Sequence, residues 1–197
     1  MKKVSTGGIV LLLLLFAACQ TETDTIVSSD QLISDVPDTD RLDSLIGEVQ
    51  SVLIGNLTSA IEKEGFESAV LFCSSKAQNL TDSMSEVVGA RISRVSAQNR
   101  NEKNAPDAYE KEVLLAFQKG KESGNMPLSQ INQTQHTYYK PILIGMPVCL
   151  KCHGNEEDRD PAAYAVIKEY YPHDKAIEYS LGDFRGMWVL DYEGLLD

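Results

Sequence analysis

Apolar residues recur at three- and four-residue steps from Leu42 onward, at Leu42, Leu45, Ile46, Val49, Val52, Leu53, Leu57 and Ile61. That period predicts an amphipathic helix, with Gly65 as its stop. A second helix is predicted to open near Phe66 and to run past Leu80, and its face of Ala69, Cys73, Ala77 and Leu80 is small and apolar. "RISRVS" (91–96) alternates in polarity and predicts a strand. Pro106 suits the first turn of a helix over "PDAYEKEVLLAFQKG", with Gly120 at its end. "HTYYKPILI" (136–144) is aromatic and β-branched, which predicts another strand. Asp160 and Pro161 open a short helix that Pro172 closes. "AIEYSLGDFRGMWVLDY" (176–192) predicts two strands around a Gly-Asp turn. Helices come first and strands dominate later, so the expected class is α+β, with helices packed on an antiparallel sheet.

The first residues follow another pattern. Lys2 and Lys3 precede an unbroken apolar run from Ile9 to Phe16, then Ala17-Ala18-Cys19, after which the chain turns polar. This is an export signal, too short for a well-anchored transmembrane helix. A cysteine behind two small residues resembles the bacterial lipobox, in which that cysteine is lipidated, although Phe16 stands where the motif usually has Leu, Val or Ile. The alternative is an ordinary signal cleaved near Ala18, with Cys19 incidental. The expected organisation is a lipoprotein signal over residues 1–18, a flexible Thr/Ser/Asp-rich tether over 19–40, and a folded domain over 41–197. The expected location is the bacterial cell envelope, lipid-anchored and facing the periplasm or the cell surface.

Charge narrows the partners. The chain carries 18 basic and 29 acidic residues, a net of −11, and the signal removes two lysines but no acid. So acidic a body argues against nucleic acid and against a basic membrane-binding face.

"MPVCLKCHGN" (146–155) carries the chemistry, with Cys149 and Cys152 two residues apart and His153 directly behind. Two thiols at this spacing can cycle as a dithiol, but no βαβ pattern surrounds them. They can serve zinc, but a closed site needs four ligands and no second short-spaced pair exists. Haem c uses all three residues: the thiols form thioethers with the two vinyl groups, and the imidazole meets the iron as proximal ligand. Gly154 would leave space beside the ring. Export supports this reading independently, because bacteria attach haem outside the cytoplasm.

Several separated stretches, "AVLFCSSKAQNL", "RISRVSAQNRNEKNAPDAYEKEVLLAF", "YYKPILIGMPVCLKCHG" and "SLGDFRG", occur in order between residues 42 and 192. Together they resemble a family of exported bacterial monohaem c-type proteins, first catalogued as a domain of unknown function and also found in front of sensor kinases. The resemblance implies a PAS-like antiparallel sheet with helices around one covalent haem. It also implies that Cys73 is the distal iron ligand. The residues themselves leave that open and on their own favour a buried free thiol, the common state of a cysteine on an apolar helix face. Met84, Met126, His136 and His173 are the other candidate ligands, whereas Met146 is too close to the attachment turn to cross the ring. Arg91, Arg94, Lys140 and Arg185 lie in the matching stretches and are candidates for the haem propionates.

Two classes of function follow. One is a low-potential redox or sensory haem protein without turnover, passing single electrons or a signal to a separate partner protein. The other is a haem enzyme such as a peroxidase, which needs an open iron. A thiolate opposite His153 would close the iron and favour the first class.

Overall fold

A computed structural model describes residues 38–196. The expectations for the signal, for Cys19 and for most of the tether lie outside the described residues. Helix α1, Thr39–Ser75, begins two residues inside the stretch read as tether, with Asp38 capping it by accepting from the Asp40 amide at 3.1 Å. Gly65 interrupts α1 with φ 81° and ψ −174°, a left-handed conformation that glycine adopts without a Cβ penalty. The second helical stretch does not run on past Leu80. It breaks at Lys76 (φ −123°), and α2, Ala77–Val88, starts afresh.

Strand β1 is Arg91–Val95 and helix α3 is Ala108–Glu122. Pro106 lies outside α3, not in its first turn. The start is set instead by a capping box, in which Asp107 accepts from the Glu110 amide and the Glu110 carboxylate accepts from the Asp107 amide. Nor does Gly120 stop this helix. A Cβ there would lie 2.8 Å from the Met126 backbone, so the missing side chain lets the returning chain pass. Strands β2, Gln130–Asn132, and β3, Thr137–Leu143, follow. A 3-10 turn, Pro147–Cys149, runs into the four-residue helix α4, Leu150–His153. Helix α5, Pro161–Tyr170, is capped by Asp160, and strand β4, Phe184–Asp191, completes the sheet.

The sheet order is β1-β4-β3-β2, antiparallel throughout. One face carries Ile92, Tyr138, Trp188 and Leu190 against Leu42, Ile46, Val49 and Leu53 of α1. The other carries Val95, Tyr139, Met187 and Val189 against Val113, Leu114 and Phe117 of α3. Each such side chain contributes about 1.5–3 kcal/mol on burial. The exposed Arg91–Asp191 ion pair (3.6 Å) belongs to a class worth about 0–1 kcal/mol, so apolar packing decides the fold. With α1 and α3 covering opposite faces, β4 is buried continuously from Gly186 to Leu190.

The predicted hairpin over 176–192 is not formed. Only β4 is a strand, and it pairs with β1 and β3. The preceding residues are drawn elsewhere: the Glu178 and Tyr179 amides donate to Gly154 O (3.1 Å) and His153 O (3.0 Å), and the Gly182 amide donates to Ile144 O (2.7 Å). Strand β2 was not expected, being too short to show a period.

Candidate functional site

The Pro147–Cys149 turn and α4 carry both cysteines of the sequence motif on one continuous bend. The two side chains pack into different apolar clusters. Cys149 lies with Leu150 against Ile144, Ala176 and Tyr179, and Cys152 joins Phe66 and Tyr164 around Val70, Ala163 and Ile167. Cys73, Cys149 and Cys152 are all free thiols. His153, at the end of α4, lines a cavity of about 250 Å³.

Cys73 lines the same cavity from the last turn of α1, with Ala77 of α2 beside it; Ala69 is buried and does not reach the cavity. Arg94, Arg100, Tyr171 and Arg185 also line it. Arg185 is there because of a bulge. Ile142 pairs with Gly186 and Leu143 with Phe184, so Arg185 opposes no residue of β3. A bulge re-aims the side chain it frees. Arg185 Nη1 donates to Ser96 Oγ at 2.8 Å and to Gln98 O at 3.0 Å, while Ser96 Oγ donates back to Arg185 O at 2.7 Å. Gly186, at φ 155°, also lines the cavity, and a Cβ on it would meet Val95 O at 2.5 Å. Gly154 has a different role from the one expected: a Cβ there would collide with Asp158 Cβ (2.6 Å) and Leu150 O (2.8 Å), so its bareness serves local packing.

Electrostatics set the donors. Burial, reinforced by the Arg100 and Arg185 charges, holds the His153 pKa well below its ordinary value, so the ring is neutral. Its Nδ1–H donates to Ala176 O at 2.8 Å, which leaves Nε2 with a free lone pair. Burial pushes the Cys73 thiol up, while Arg94 and Arg100 pull it back. Burial likewise raises Cys152 to about 11, against the pull of Arg100. The cavity therefore offers one neutral imidazole and one thiol from separate elements, under three guanidinium groups. Such a set can ligate one transition-metal ion and balance anionic groups around it.

Of the cationic candidates, Arg94 and Arg185 reach this cavity; Arg91 and Lys140 do not line it. Arg91 pairs with Asp191 and is mostly exposed, and Lys140 pairs with Asp43 at 2.7 Å. Residues 91 and 94 differ by three along a strand, so pleating puts them on opposite faces. Met84, Met126, His136, His173 and Met146 also fail to line the cavity. His173 is bound to Glu102 at 2.7 Å, His136 lies against Tyr192, Met84 and Met126 pack on the two cores, and Met146 is exposed. Among the described residues no three His, Cys, Asp or Glu side chains converge to hold a metal, so the zinc alternative has no ligand set there. Arg100 was not anticipated. Its partners lie between 52 and 76 residues away, and no local pattern marks it.

A family model described as Tll0287-like matches residues 17–192. The chain is also similar to a solved structure titled "Crystal structure of the cyanobacterial heme-protein Tll0287". That match has a TM-score of 0.57 and 20% identity, and covers 83% of this chain and 95% of the other. No curated protein matches.

Proposed function

The chain belongs to the Tll0287-like family, and on that premise we propose that it is a monohaem c-type protein of the bacterial envelope, acting in one-electron transfer or redox sensing through a partner protein. The similar solved protein is described as a haem protein; here His153 and Cys73 line one cavity under three guanidinium groups, whereas Cys149 and Cys152 border it from the adjoining turn without lining it. Cys149 and Cys152 would carry a haem by thioether bonds, His153 Nε2 would be the proximal ligand, and Cys73 the distal one. Arg94 and Arg185 suit its propionates, whose charge this cation-rich, low-dielectric wall calls for.

The observation that carries the reading is that Cys73 and His153, 80 positions apart in the chain, line one cavity beside the attachment turn. When bound, the iron supplies a one-electron couple. The chain's own groups do the rest. The Arg94 and Arg100 charges would favour a thiolate at Cys73 as a ligand, and the end of α1 brings that sulfur to the cavity. Held by both His153 and Cys73, the metal would keep no open position, which favours a carrier or sensor over an open-iron enzyme. Lipidation at Cys19 would tether the domain to the membrane surface.

A pyridine haemochrome spectrum and a haem stain on a denaturing gel test the assignment. Cys149→Ala or Cys152→Ala should weaken covalent retention, and the double change should abolish it. Full extraction of haem from the unmodified protein into acidic butanone would overturn it.

A further inference from the structure

The Ala176 carbonyl oxygen accepts two hydrogen bonds at once. His153 Nδ1–H donates to it at 2.8 Å and Arg100 Nη2–H at 3.1 Å. The same Nη2 donates to Cys152 O at 2.6 Å, and Arg100 Nε donates to Asp174 Oδ1 at 3.1 Å. Asp174 Oδ1 also accepts from the Ala176 amide at 2.9 Å, so one carboxylate fixes both the guanidinium and the peptide that the histidine uses. This cluster is well buried, with the Arg100 and Asp174 side chains only 12% and 8% exposed. Burial of that degree makes each bond count, because no water stands ready to replace it.

We infer that Arg100 is a positioning residue for His153: it ties the Cys152 carbonyl to the Ala176 carbonyl, fixes the imidazole's tautomer and ring plane, and limits its donor strength toward iron. The inference rests on the reading of His153 as proximal ligand. A histidine that donates Nδ1–H to a carbonyl becomes a stronger base at its other nitrogen. A carbonyl has two lone pairs and can serve both donors, but a cationic donor draws off density that would otherwise strengthen the imidazole bond. The guanidinium charge also opposes the extra positive charge of the oxidised metal. Both effects have one sign, so Arg100 holds the reduction potential above the value that the other ligands alone would set. Glueing α4 to the 174–176 segment would by itself leave the potential unmoved.

The test uses the holoprotein with Arg100→Gln and Arg100→Lys, read by haem stain, reduction potential and the NMR signal of the His153 ring N–H. Both variants should keep covalent haem. Arg100→Gln should shift the potential downward and move the ring N–H signal downfield, as the imidazole bond to Ala176 O strengthens. Lysine keeps the charge as a compact point that cannot span two carbonyls; Arg100→Lys should therefore stay nearer the unmodified potential yet still show the downfield ring signal. An Arg100→Gln protein with unchanged potential and an unshifted ring signal would overturn the inference. If that variant does not fold, an unshifted ring signal in Arg100→Lys overturns it equally. Should the unmodified protein bind no haem, the ligand reading fails instead; a downfield ring signal in haem-free Arg100→Gln would then uphold the competition for the Ala176 carbonyl, and an unshifted one would overturn it.

Discussion

The Tyr138 hydroxyl donates to Asp43 Oδ1 at 2.6 Å, and the same oxygen receives Lys140 Nζ at 2.7 Å. A residue in the first turns of α1 is thereby fastened to β3. Burial pushes the Asp43 carboxyl up, but the bonds from Lys140 and Tyr138 and the Lys140 charge outweigh it, and the net pKa is depressed. Burial, with the Asp43 bond, raises Tyr138 to about 12, so the phenol stays a donor. A depressed carboxylate contributes stability that is present above its unfolded pKa of about 3.9 and is lost as pH falls through the folded value. Asp43→Asn is expected to flatten that part of the acid limb in a plot of thermal midpoint against pH. Asp43→Ala should cost about 1–3 kcal/mol by orphaning a buried hydroxyl. Parallel acid limbs in the Asn variant and the unmodified protein would contradict this.

Gly186 and Gly47 should respond to alanine with opposite signs. At Gly186 the new Cβ meets Val95 O at 2.5 Å at φ 155°, so Gly186→Ala is expected to destabilise by about 1–3 kcal/mol. At Gly47, inside α1, nothing stands within 4 Å of the added carbon, and Gly47→Ala should stabilise by about 0.5–1 kcal/mol. Denaturant midpoints of the two variants check both signs.

Cys73 separates carrier from catalyst. With its thiolate on iron, the oxidised protein is expected to be low-spin, at a potential well below that of a His/Met cytochrome. Cys73→Ala should give high-spin or water-ligated iron, faster cyanide uptake and a higher potential, read by electron paramagnetic resonance and redox titration. A variant spectrum identical to the unmodified one would return Cys73 to the packed interior and leave the second ligand to be found elsewhere.

The membrane attachment expected at Cys19 has a simple readout. Cys19→Ser should leave the protein unprocessed or move it to the soluble envelope fraction, since one acyl-bearing cysteine is the anchor proposed. Unchanged partitioning on fractionation would make Cys19 incidental.

Local signals explain which features were legible. Helix α1 shows its period over many turns, α5 shows its Asp160-Pro161 start, and β1 and β3 show alternation or β-branched runs. The Cys149–His153 turn is legible because its candidate chemistry lies within five residues. The stretch 176–183 misleads: it has strand-like composition, but its amides are claimed by His153, Gly154 and Ile144, partners that no periodicity reveals. Pro106 misleads because the cap chemistry of Asp107 and Glu110 outranks a favourable proline position. Arg100 was invisible for the same reason as the hairpin, since its bonds are all long-range. Arg91, by contrast, carried a readable warning, because pleating separates it from Arg94.

The strand that joins the two outer parts of the sheet is β4, which follows β1 by nearly a hundred residues and pairs with both β1 and β3. During synthesis neither α1 nor α3 has a complete surface to dock on until those residues emerge. Closing so long a loop before any reward makes for slow assembly. If the chain is exported as proposed, it would cross the membrane without a competing folded state, and the Cys149–Cys152 turn would stay open to covalent modification until the Ala176 segment, which precedes β4, wraps over His153. On the proposed reading, maturation would in this way be timed by strand order: the cofactor would go on while the lid is still unmade.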